Sequence, residues 1–305
     1  MTGQAASVVI ACHTEDRFDS LRGAIESAKA QDPLEVIVAV DHNPALFERL
    51  RAADEGVEIV EHDGTPGASG ARNAGATLAR GPLLVFLDDD VRTRPGWLRE
   101  LTAPFSNDSV VGTGGMTAPA WQGPRPPWFP EEFGWVIGAS YAGLPDHSGP
   151  VRNVWSENMA VRRDAFEKVG GFRDGFGKVG QTSRPEDTDL CIRISASEPH
   201  ARWMYVPSAV VDHEVPNERS TFAFFLKRCY WEGAGKIELS AHLGEDRDLH
   251  AERSYLLRTL PLAILRDLRR GKFARTLAIV AGTAAAAAGA ASTVLRAAAQ
   301  RTVRR

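Results

Sequence analysis

Three consecutive aspartates, Asp88, Asp89 and Asp90, directly follow the five apolar residues 83–87. Such a run is typical of a strand buried on both faces of a parallel sheet, whose carboxyl end lines the ligand cleft. Because side chains alternate along an extended chain, Asp88 and Asp90 are predicted to face the same way and to hold one hard cation against a diphosphate. Taken alone, the three acids would favour the alternative of a polar strand end with Asp in a turn.

Strand-like and helix-like segments alternate through the first hundred residues. Apolar runs indicate strands at 7–11, 36–40, 57–60 and 83–87, and apolar residues at helical spacing indicate a helix after each of the first three. This alternation predicts an α/β fold whose sheet is largely parallel and covered on both faces.

A second acidic cluster begins with Glu186, Asp187 and Asp189, directly after Pro185. Proline suits the first turn of a helix, where the helix dipole also favours acids. A carboxylate on such a rigid element can take a proton from an incoming hydroxyl, and Asp187 is the candidate general base. The alternative is that these acids only stabilise the start of the helix.

Residues 119–150 are rich in proline, glycine and tryptophan. A loop of this length inside an enzyme is typically a lid or binding loop. Its aromatic side chains would either stack on sugar rings or pack the loop onto the body of the protein.

The charges of the chain are divided unevenly. From Arg253 onward there are 11 Lys and Arg residues against Asp267 alone, a charge of +10, which leaves −13 for residues 1–252 within the net charge of −3. An acidic body with a basic tail suggests an anionic partner surface, a membrane rather than nucleic acid in our interpretation. The tail also contains residues 276–295, an uncharged Ala-rich segment that either attaches to a membrane or packs on the body as a helix.

Cysteine usage and the N-terminus indicate a cytosolic location. Cys12, Cys191 and Cys229 are widely spaced and odd in number, so they are predicted to be reduced thiols, two of them in the core. No basic segment precedes the first apolar run, which argues against a secretory signal.

Several short segments follow one another in a definite order along residues 7–233, about three quarters of the chain. Each is weak alone, but the ordered set is similar to the family 2 inverting glycosyltransferases with a GT-A fold. That fold is a Rossmann-like nucleotide-binding sheet with an acceptor-side subdomain, here followed by a C-terminal helical tail. The segments are residues 14–17 after the first strand, Asp41 at the end of the second, Gly70 to Gly75, the three aspartates, Gly170-Gly171-Phe172 and residues 186–190.

The resemblance implies that the chain binds a nucleoside-diphosphate sugar, a UDP-sugar in first place. In this family an acid at the position of Asp41 contacts the base, and residues 71–73 flank the diphosphate. The implied donor-side residues are Thr14, Glu15, Arg17, Asp41, Arg72, Asn73, Asp88 and Asp89.

The resemblance also implies a metal site and a general base. Asp88 and Asp90 match the Asp-x-Asp pair of the family, and His213 matches a histidine that completes the shell around Mn²⁺ or Mg²⁺. The alternative for His213 is a polar residue at a strand end. Asp187 matches the base, and the implied acceptor-side or diphosphate-side residues are Trp155, Glu186 and Arg228, the last on a covering basic helix.

The sequence departs from the family pattern around the nucleotide base. Ala11 or Cys12 stands where the first strand usually carries proline, Val40 replaces the first acid of a paired Asp-Asp, and His42-Asn43 replaces Gly-Ser. These changes affect the predicted base contacts and leave the metal and base motifs intact.

The predicted reaction is metal-dependent transfer of a sugar, with inversion, to a hydroxyl of a glycan, a lipid-linked glycan or a small metabolite, in cell-envelope synthesis at the cytosolic face of the membrane. The alternatives are a sugar-phosphate nucleotidyltransferase and a non-catalytic glycan-binding scaffold. The predicted division is a donor-binding half (1–118), an acceptor-side half (119–252) and a basic helical tail (253–305).

Overall fold

A computed structural model of the chain describes residues 5–179, 182–198, 200–243 and 254–303. The chain forms two compact units. The first comprises residues 1–118, 145–181 and 185–213, and the second comprises residues 119–144, 182–184 and 214–305. The predicted boundary after residue 118 coincides with a boundary between the units. The three-part division itself stays a prediction. Arg253, Arg304 and Arg305 of the predicted tail lie outside the described residues.

Strands occur throughout the first two thirds of the chain. They are β1 (Ala6–Cys12), β2 (Glu35–Asp41), β3 (Glu58–His62), β4 (Leu83–Asp88), β5 (Val91–Thr93), β6 (Val110–Trp121), β7 (Gly149–Val151), β8 (Asn158–Arg162), β9 (Gly177–Val179), β10 (Thr182–Arg184) and β11 (Arg202–Val215).

Helices separate the strands and make up the C-terminal part. They are α1 (Phe18–Lys29), α2 (Pro44–Ala53), α3 (Ala68–Leu78), α4 (Trp97–Thr102), α5 (Arg163–Lys168), α6 (Glu186–Ser197), α7 (Phe222–Leu243), α8 (Leu260–Arg269) and α9 (Phe273–Val303).

The main sheet is mixed, with the strand order β3-β2-β1-β4-β8-β6-β11-β5 and with β7 paired to β11. Its first four strands are parallel, which confirms the predicted βα alternation. Strand β8 runs antiparallel to β4 and β6, and β5 and β7 run antiparallel to β11. The parallel half therefore ends at β4, the strand that carries the acids.

The parallel strands are buried on both faces, as their continuous apolar runs predict. Val8 and Ile10 face one core with the apolar side of α1, while Val9 faces a second core with Phe86 and Phe172. The predicted helix residues Leu21, Ala24, Ile25 and Ala28 are all buried in α1. Two cores hold the strand ends rigidly, which fixes the side chains that follow them.

The second unit has its own core. The loop aromatics Phe129 and Phe133 pack there with Phe225 of α7, and Leu260 and Ile279 of the C-terminal helices join them. The packing alternative therefore holds for these two loop aromatics. Residues 276–295 lie within α9, whose stretch Phe273–Ala297 is long and apolar enough to cross a membrane, although 22% of its most apolar window is buried inside the protein.

All three cysteines are free and buried: Cys12, Cys191 and Cys229. Each lies in a different hydrophobic core. The prediction of free thiols with two in the core is confirmed and extended to the third.

Candidate active site

The acidic strand end differs from its prediction in one respect. Strand β4 ends at Asp88, and Asp89 and Asp90 form a turn before β5. The alternation of an extended chain therefore stops before Asp90. The Asp88 side chain is 34% exposed and those of Asp89 and Asp90 are 5% and 7% exposed, so Asp88 and Asp90 lie in different surroundings.

Arg17, predicted on the donor side, lies against the two buried acids. Its Nη1 is 2.8 Å from Asp89 Oδ1 and 3.0 Å from Asp90 Oδ2. Burial raises the pKa of Asp89 to about 7, and the positive charge of Arg17 opposes that shift. The pKa of Arg17 is itself raised, because the carboxylates outweigh its desolvation. Arg17 thus compensates the negative charge of the two acids that follow β4.

His213 lies beside Asp90, as the predicted metal pair requires. The antiparallel register of β5 and β11 pairs Val91 with His213, and His213 Nε2 is 3.3 Å from Asp90 Oδ1. His213 is 4% exposed, and its Nδ1 is buried without a hydrogen-bond partner among the described residues. A carboxylate next to an imidazole is a donor pair that suits Mn²⁺.

The third predicted ligand, Asp88, is engaged elsewhere. Its Oδ1 accepts a 2.6 Å hydrogen bond from Arg72 Nη2. Within the described ranges, no three His, Cys, Asp or Glu side chains form a group that could hold a metal ion. Asp90 and His213 are therefore the two donors of the predicted set that lie together.

Arg72 connects the two acidic motifs of the sequence. This residue of α3 is 3% exposed, and its Nη1 donates to Glu186 Oε1 over 3.0 Å while its Nη2 binds Asp88. The two carboxylates raise the pKa of Arg72 above its ordinary value despite the cost of desolvation. The end of β4 and the start of α6 are therefore joined through one buried cation.

Asn73, also predicted on the donor side, is bonded to the protein backbone. Its Nδ2 donates to Phe172 O over 2.8 Å, and its Oδ1 accepts from Phe172 N over 2.9 Å. The preceding Gly171 has φ of +70°, and a Cβ there would meet Asn73 Oδ1. The amide therefore fixes the Gly-Gly-Phe turn.

Asp41 lies at the end of β2, where the base contact is predicted. Its Oδ2 accepts from Gly67 N over 2.9 Å, and its Oδ1 lies 2.8 Å from His42 Nδ1. This hydrogen bond raises the pKa of His42, whose φ is +49°. Asn43 caps α2 by accepting from Leu46 N. The unusual His42-Asn43 pair therefore has local structural partners.

Two further donor-side candidates lie in the turn after β1. Thr14 Oγ1 accepts from Asp16 N over 3.3 Å and so caps the short helix Glu15–Arg17. Glu15 Oε2 lies 3.5 Å from Arg49 Nη1 in an exposed ion pair. Both side chains remain near the surface, after the carboxyl end of β1.

Asp187 is the second residue of α6, next to the Glu186 that binds Arg72. Its Oδ1 accepts from Thr188 N over 2.6 Å, and the side chain is partly exposed. The first turn of α6 thus presents one acid to the buried guanidinium and one at the helix start.

Glu157 is a site residue that the sequence analysis missed. It precedes β8, whose antiparallel register pairs Asn158 with Leu87, so Glu157 lies opposite Asp88 at the end of β4. Desolvation raises the pKa of Glu157 well above its ordinary value, and the charges of Asp88 and Asp187 raise it further. The sequence does show an acid directly before an apolar strand. Its place next to Asp88, however, follows only from the antiparallel register of β8 and β4.

Two predicted site residues remain, Trp155 and Arg228. Trp155 lies in the turn before β8 and is partly exposed, and Arg228 is a partly exposed residue of α7 in the second unit. Their assignment to the acceptor or diphosphate stays a prediction.

The chain is similar to one protein family model and to characterised glycosyltransferases. Residues 7–170 match the model described as glycosyl transferase family 2. The glucosyl-dolichyl phosphate glucuronosyltransferase of Haloferax volcanii is 32% identical over 237 residues, 75% of each chain. The pre-mycofactocin glycosyltransferase of Mycobacterium tuberculosis is 28% identical over 211 residues, 68% of this chain and 42% of that protein.

Solved structures share the fold at lower sequence identity. The mannosyltransferase PcManGT from Pyrobaculum calidifontis, in complex with GDP-Man and Mn²⁺, superposes with a TM-score of 0.58 at 19% identity, over 98% of this chain and 81% of that one. GalNAc-T7 with UDP, GalNAc and Mn²⁺ gives 0.55 at 17% identity, over 83% of this chain and 54% of that one. These likenesses confirm the predicted α/β fold of the GT-A type.

Proposed function

Because the chain belongs to glycosyl transferase family 2, we propose that it is a metal-dependent, inverting glycosyltransferase using a nucleoside-diphosphate sugar. The observation that carries the proposal is the Arg72 bridge, which joins Asp88 at the strand end to the helix start that bears Asp187. A leaving diphosphate and an attacking hydroxyl have to meet at one place, and the bridge brings the two motifs together. Family membership favours transfer over the nucleotidyltransferase and scaffold alternatives.

Asp90 and His213 would hold the metal, Mn²⁺ or Mg²⁺, and Asp88 is the further candidate ligand. The ion would stabilise the negative charge of the departing diphosphate as a Lewis acid. Two solved structures of the same fold contain Mn²⁺, which supports a divalent metal ion. Arg17 pairs with Asp89 and Asp90, which supports the positions of these acids when no ion is bound.

Asp187 would accept the proton of the acceptor hydroxyl as the hydroxyl attacks the anomeric carbon. Attack opposite to the leaving diphosphate inverts the configuration at that carbon. Glu157, whose raised pKa favours the protonated form, would donate a hydrogen bond rather than compete for the proton. The two carboxyl groups would therefore have different roles because their surroundings differ.

The donor nucleotide would lie along the carboxyl ends of β1, β2 and β4. Asp41 would contact the base, with Thr14 and Glu15 beside it, and Asp88 and Asp89 would face the ribose. Arg72 and Asn73 would act by holding Asp88 and the Gly-Gly-Phe turn, because their polar groups are bonded to the protein. Trp155 and Arg228 remain candidates for contact with the acceptor or the diphosphate.

The proposed acceptor is a lipid-linked sugar phosphate of cell-envelope synthesis, at the cytosolic face of the membrane. A relative that covers three quarters of the chain is named for action on glucosyl-dolichyl phosphate, which supports this acceptor class. The exposed apolar and basic residues of the C-terminal helices support a membrane location.

The test is a screen of UDP-glucose, UDP-glucuronic acid, UDP-GalNAc and GDP-mannose with Mn²⁺, Mg²⁺ or EDTA. Release of the nucleoside diphosphate is measured with and without a polyprenyl-phosphate sugar, and proton NMR gives the anomeric configuration of the product. We expect metal-dependent release and an inverted product. A retained configuration would exclude the inverting mechanism, and full turnover in EDTA would exclude the metal.

A further inference from the structure

The second unit carries a set of exposed apolar side chains on its C-terminal helices. We call this set, with the exposed cations among it, the apolar-basic surface. The exposed fractions run from 44% for Leu265 and Leu268 to 78% for Leu257. The apolar members are Leu256, Leu257, Leu262, Leu265, Leu268, Phe273 and Leu277.

These side chains are not needed for the core of the unit. On the same helix, α8, Leu260 and Ala263 are buried in the core that contains Phe133 and Phe225. One side of α8 is therefore packed, while Leu262, Leu265 and Leu268 repeat at helical spacing on another side and face solvent. Exposed apolar side chains at this spacing are neighbours on one side of α8, and such a patch marks an interaction surface.

The charges of the same region are almost entirely positive. Arg258, Arg269, Arg270 and Lys272 are exposed among the leucines. The single acid from residue 254 to the end of the chain is Asp267. Asp267 is fully buried and lies 2.9 Å from Arg266 Nη2, so it does not offset the exposed cations. The partner of this surface should be both apolar and anionic.

We propose that the apolar-basic surface docks the protein onto an anionic lipid bilayer, with the helices lying along the interface. Leucines and a phenylalanine surrounded by arginines are the residues that interfacial helices use for the acyl boundary and the lipid phosphates. The inference deepens the proposed membrane location by naming the surface and its mode of attachment, and it does not depend on the donor or the reaction.

The packing of α9 argues for docking rather than spanning. A Cβ on Gly233 of α7 would collide with Ala286 O, and one on Gly289 would collide with Tyr230 O, so the two helices are in close backbone contact. Tyr230 and Ser292 also share a 2.7 Å hydrogen bond. Helix α7 exposes Lys227 and Lys236. If α9 crossed the bilayer, it would have to leave α7 or bring these charges into hydrocarbon.

A second copy of the chain is a poorer occupant of this surface. A two-fold contact would place the same patch on both subunits. Arg269, Arg270 and Lys272 of one copy would then approach the cations of the other. No acid on the surface of this segment could neutralise them.

Vesicle flotation of the full-length protein tests the proposal, without donor or acceptor. The vesicles are phosphatidylcholine alone and phosphatidylcholine with phosphatidylglycerol. The variants are Leu257→Gln with Leu265→Gln, and Arg269→Gln with Arg270→Gln. The matched control is Leu34→Gln with Leu78→Gln, two leucines of the first unit that are 49% and 40% exposed. Circular dichroism verifies that every variant is folded.

We expect the wild type and the control to float with anionic vesicles, and each surface variant to lose binding by about tenfold or more. Alkaline carbonate should release the bound wild type. It would not release a protein with a helix that spans the bilayer. The proposal is overturned if the folded wild type stays unbound, if the surface variants bind like the control, if carbonate fails to extract the protein, or if sedimentation shows a dimer that these variants dissociate. Because no turnover is measured, these outcomes are separate from those of the glycosyltransferase test.

Discussion

The buried guanidinium of Arg72 donates a 2.6 Å hydrogen bond to Asp88 at the end of β4. Its other terminal nitrogen reaches Glu186 at the start of α6 over 3.0 Å. The donor side and the base side of the site are thus connected by one side chain that is 3% exposed. A residue placed in this way affects both stability and catalysis, and the two effects can be measured separately.

Replacing Arg72 by methionine should destabilise the protein by about 3 kcal/mol, the low end for a broken buried ion pair because Asp88 is partly exposed. The variant should also lose most transfer activity, since neither acid keeps its partner. Urea denaturation measures the free energy of unfolding. The control is Arg94→Met, whose ion pair with Asp212 is solvent-exposed and should contribute at most about 1 kcal/mol. An equal decrease in the free energy of unfolding in the two variants would contradict the role of Arg72.

Replacing Asp90 by asparagine should weaken Mn²⁺-dependent binding of UDP by about tenfold or more, because a neutral amide is a poorer ligand than a carboxylate. His213→Gln should act in the same direction. Calorimetric titration of UDP with Mn²⁺ and with EDTA measures the metal-dependent part. Asp212→Asn, adjacent to His213 but paired with Arg94, is the control. Unchanged metal dependence in both test variants would remove Asp90 and His213 from the metal site.

Much of the first unit could be predicted because its parallel strands have long apolar runs and its helices have clear apolar spacing. The antiparallel part could not be predicted in the same way. Strand β11 extends from Arg202 to Val215 with alternating burial, a weaker pattern than the continuous runs of β1 and β4. The positions of β5 and β8 follow from pairing with distant strands, which local sequence does not specify.

The motifs of the candidate site can be named from the sequence, but the contacts between them cannot. Arg72 is separated from Glu186 by 114 positions, so no local rule identifies them as partners. The alternation rule failed at Asp90 because the strand ends two residues earlier, within the ordinary uncertainty of a strand boundary. Glu157 was missed because its place at the strand end depends on the register of β8.

Glu157 gives a pH-dependent prediction. Its folded-state pKa is raised well above the ordinary value of 4.5, so the protonated form favours folding, and this contribution is lost as the pH rises through the folded pKa. Glu157→Gln removes that dependence. Relative to the wild type, the variant should therefore become more stable as the pH rises from about 5 to about 8. Urea denaturation across this range, with exposed Glu167→Gln as the control, tests it, and parallel pH profiles would contradict it.

Asp187→Asn should leave nucleotide-sugar affinity and the free energy of unfolding nearly unchanged, while transfer falls by about 10²–10⁴ because the general base is removed. Steady-state kinetics measures the transfer rate, and calorimetric titration measures the nucleotide-sugar affinity. The comparison is Glu186→Gln, which should lower stability through Arg72 as well as activity. Near wild-type turnover in Asp187→Asn would mean that another group takes the proton.

The buried thiols report on the packing of the C-terminal helices. Burial raises the pKa of Cys229 to about 12 and also raises the pKa of Cys12 and Cys191, so all three should react slowly with iodoacetamide in the native protein and readily in denaturant. Leu260 shares a core with Cys229, whereas Cys12 and Cys191 lie in other cores. Leu260→Ala should leave a cavity that costs about 2–4 kcal/mol and should speed alkylation of Cys229 alone. Mass spectrometry of timed alkylation measures each thiol, and exposed Leu257→Ala is the control. If the rate at Cys229 is the same in both variants, α8 does not protect this core.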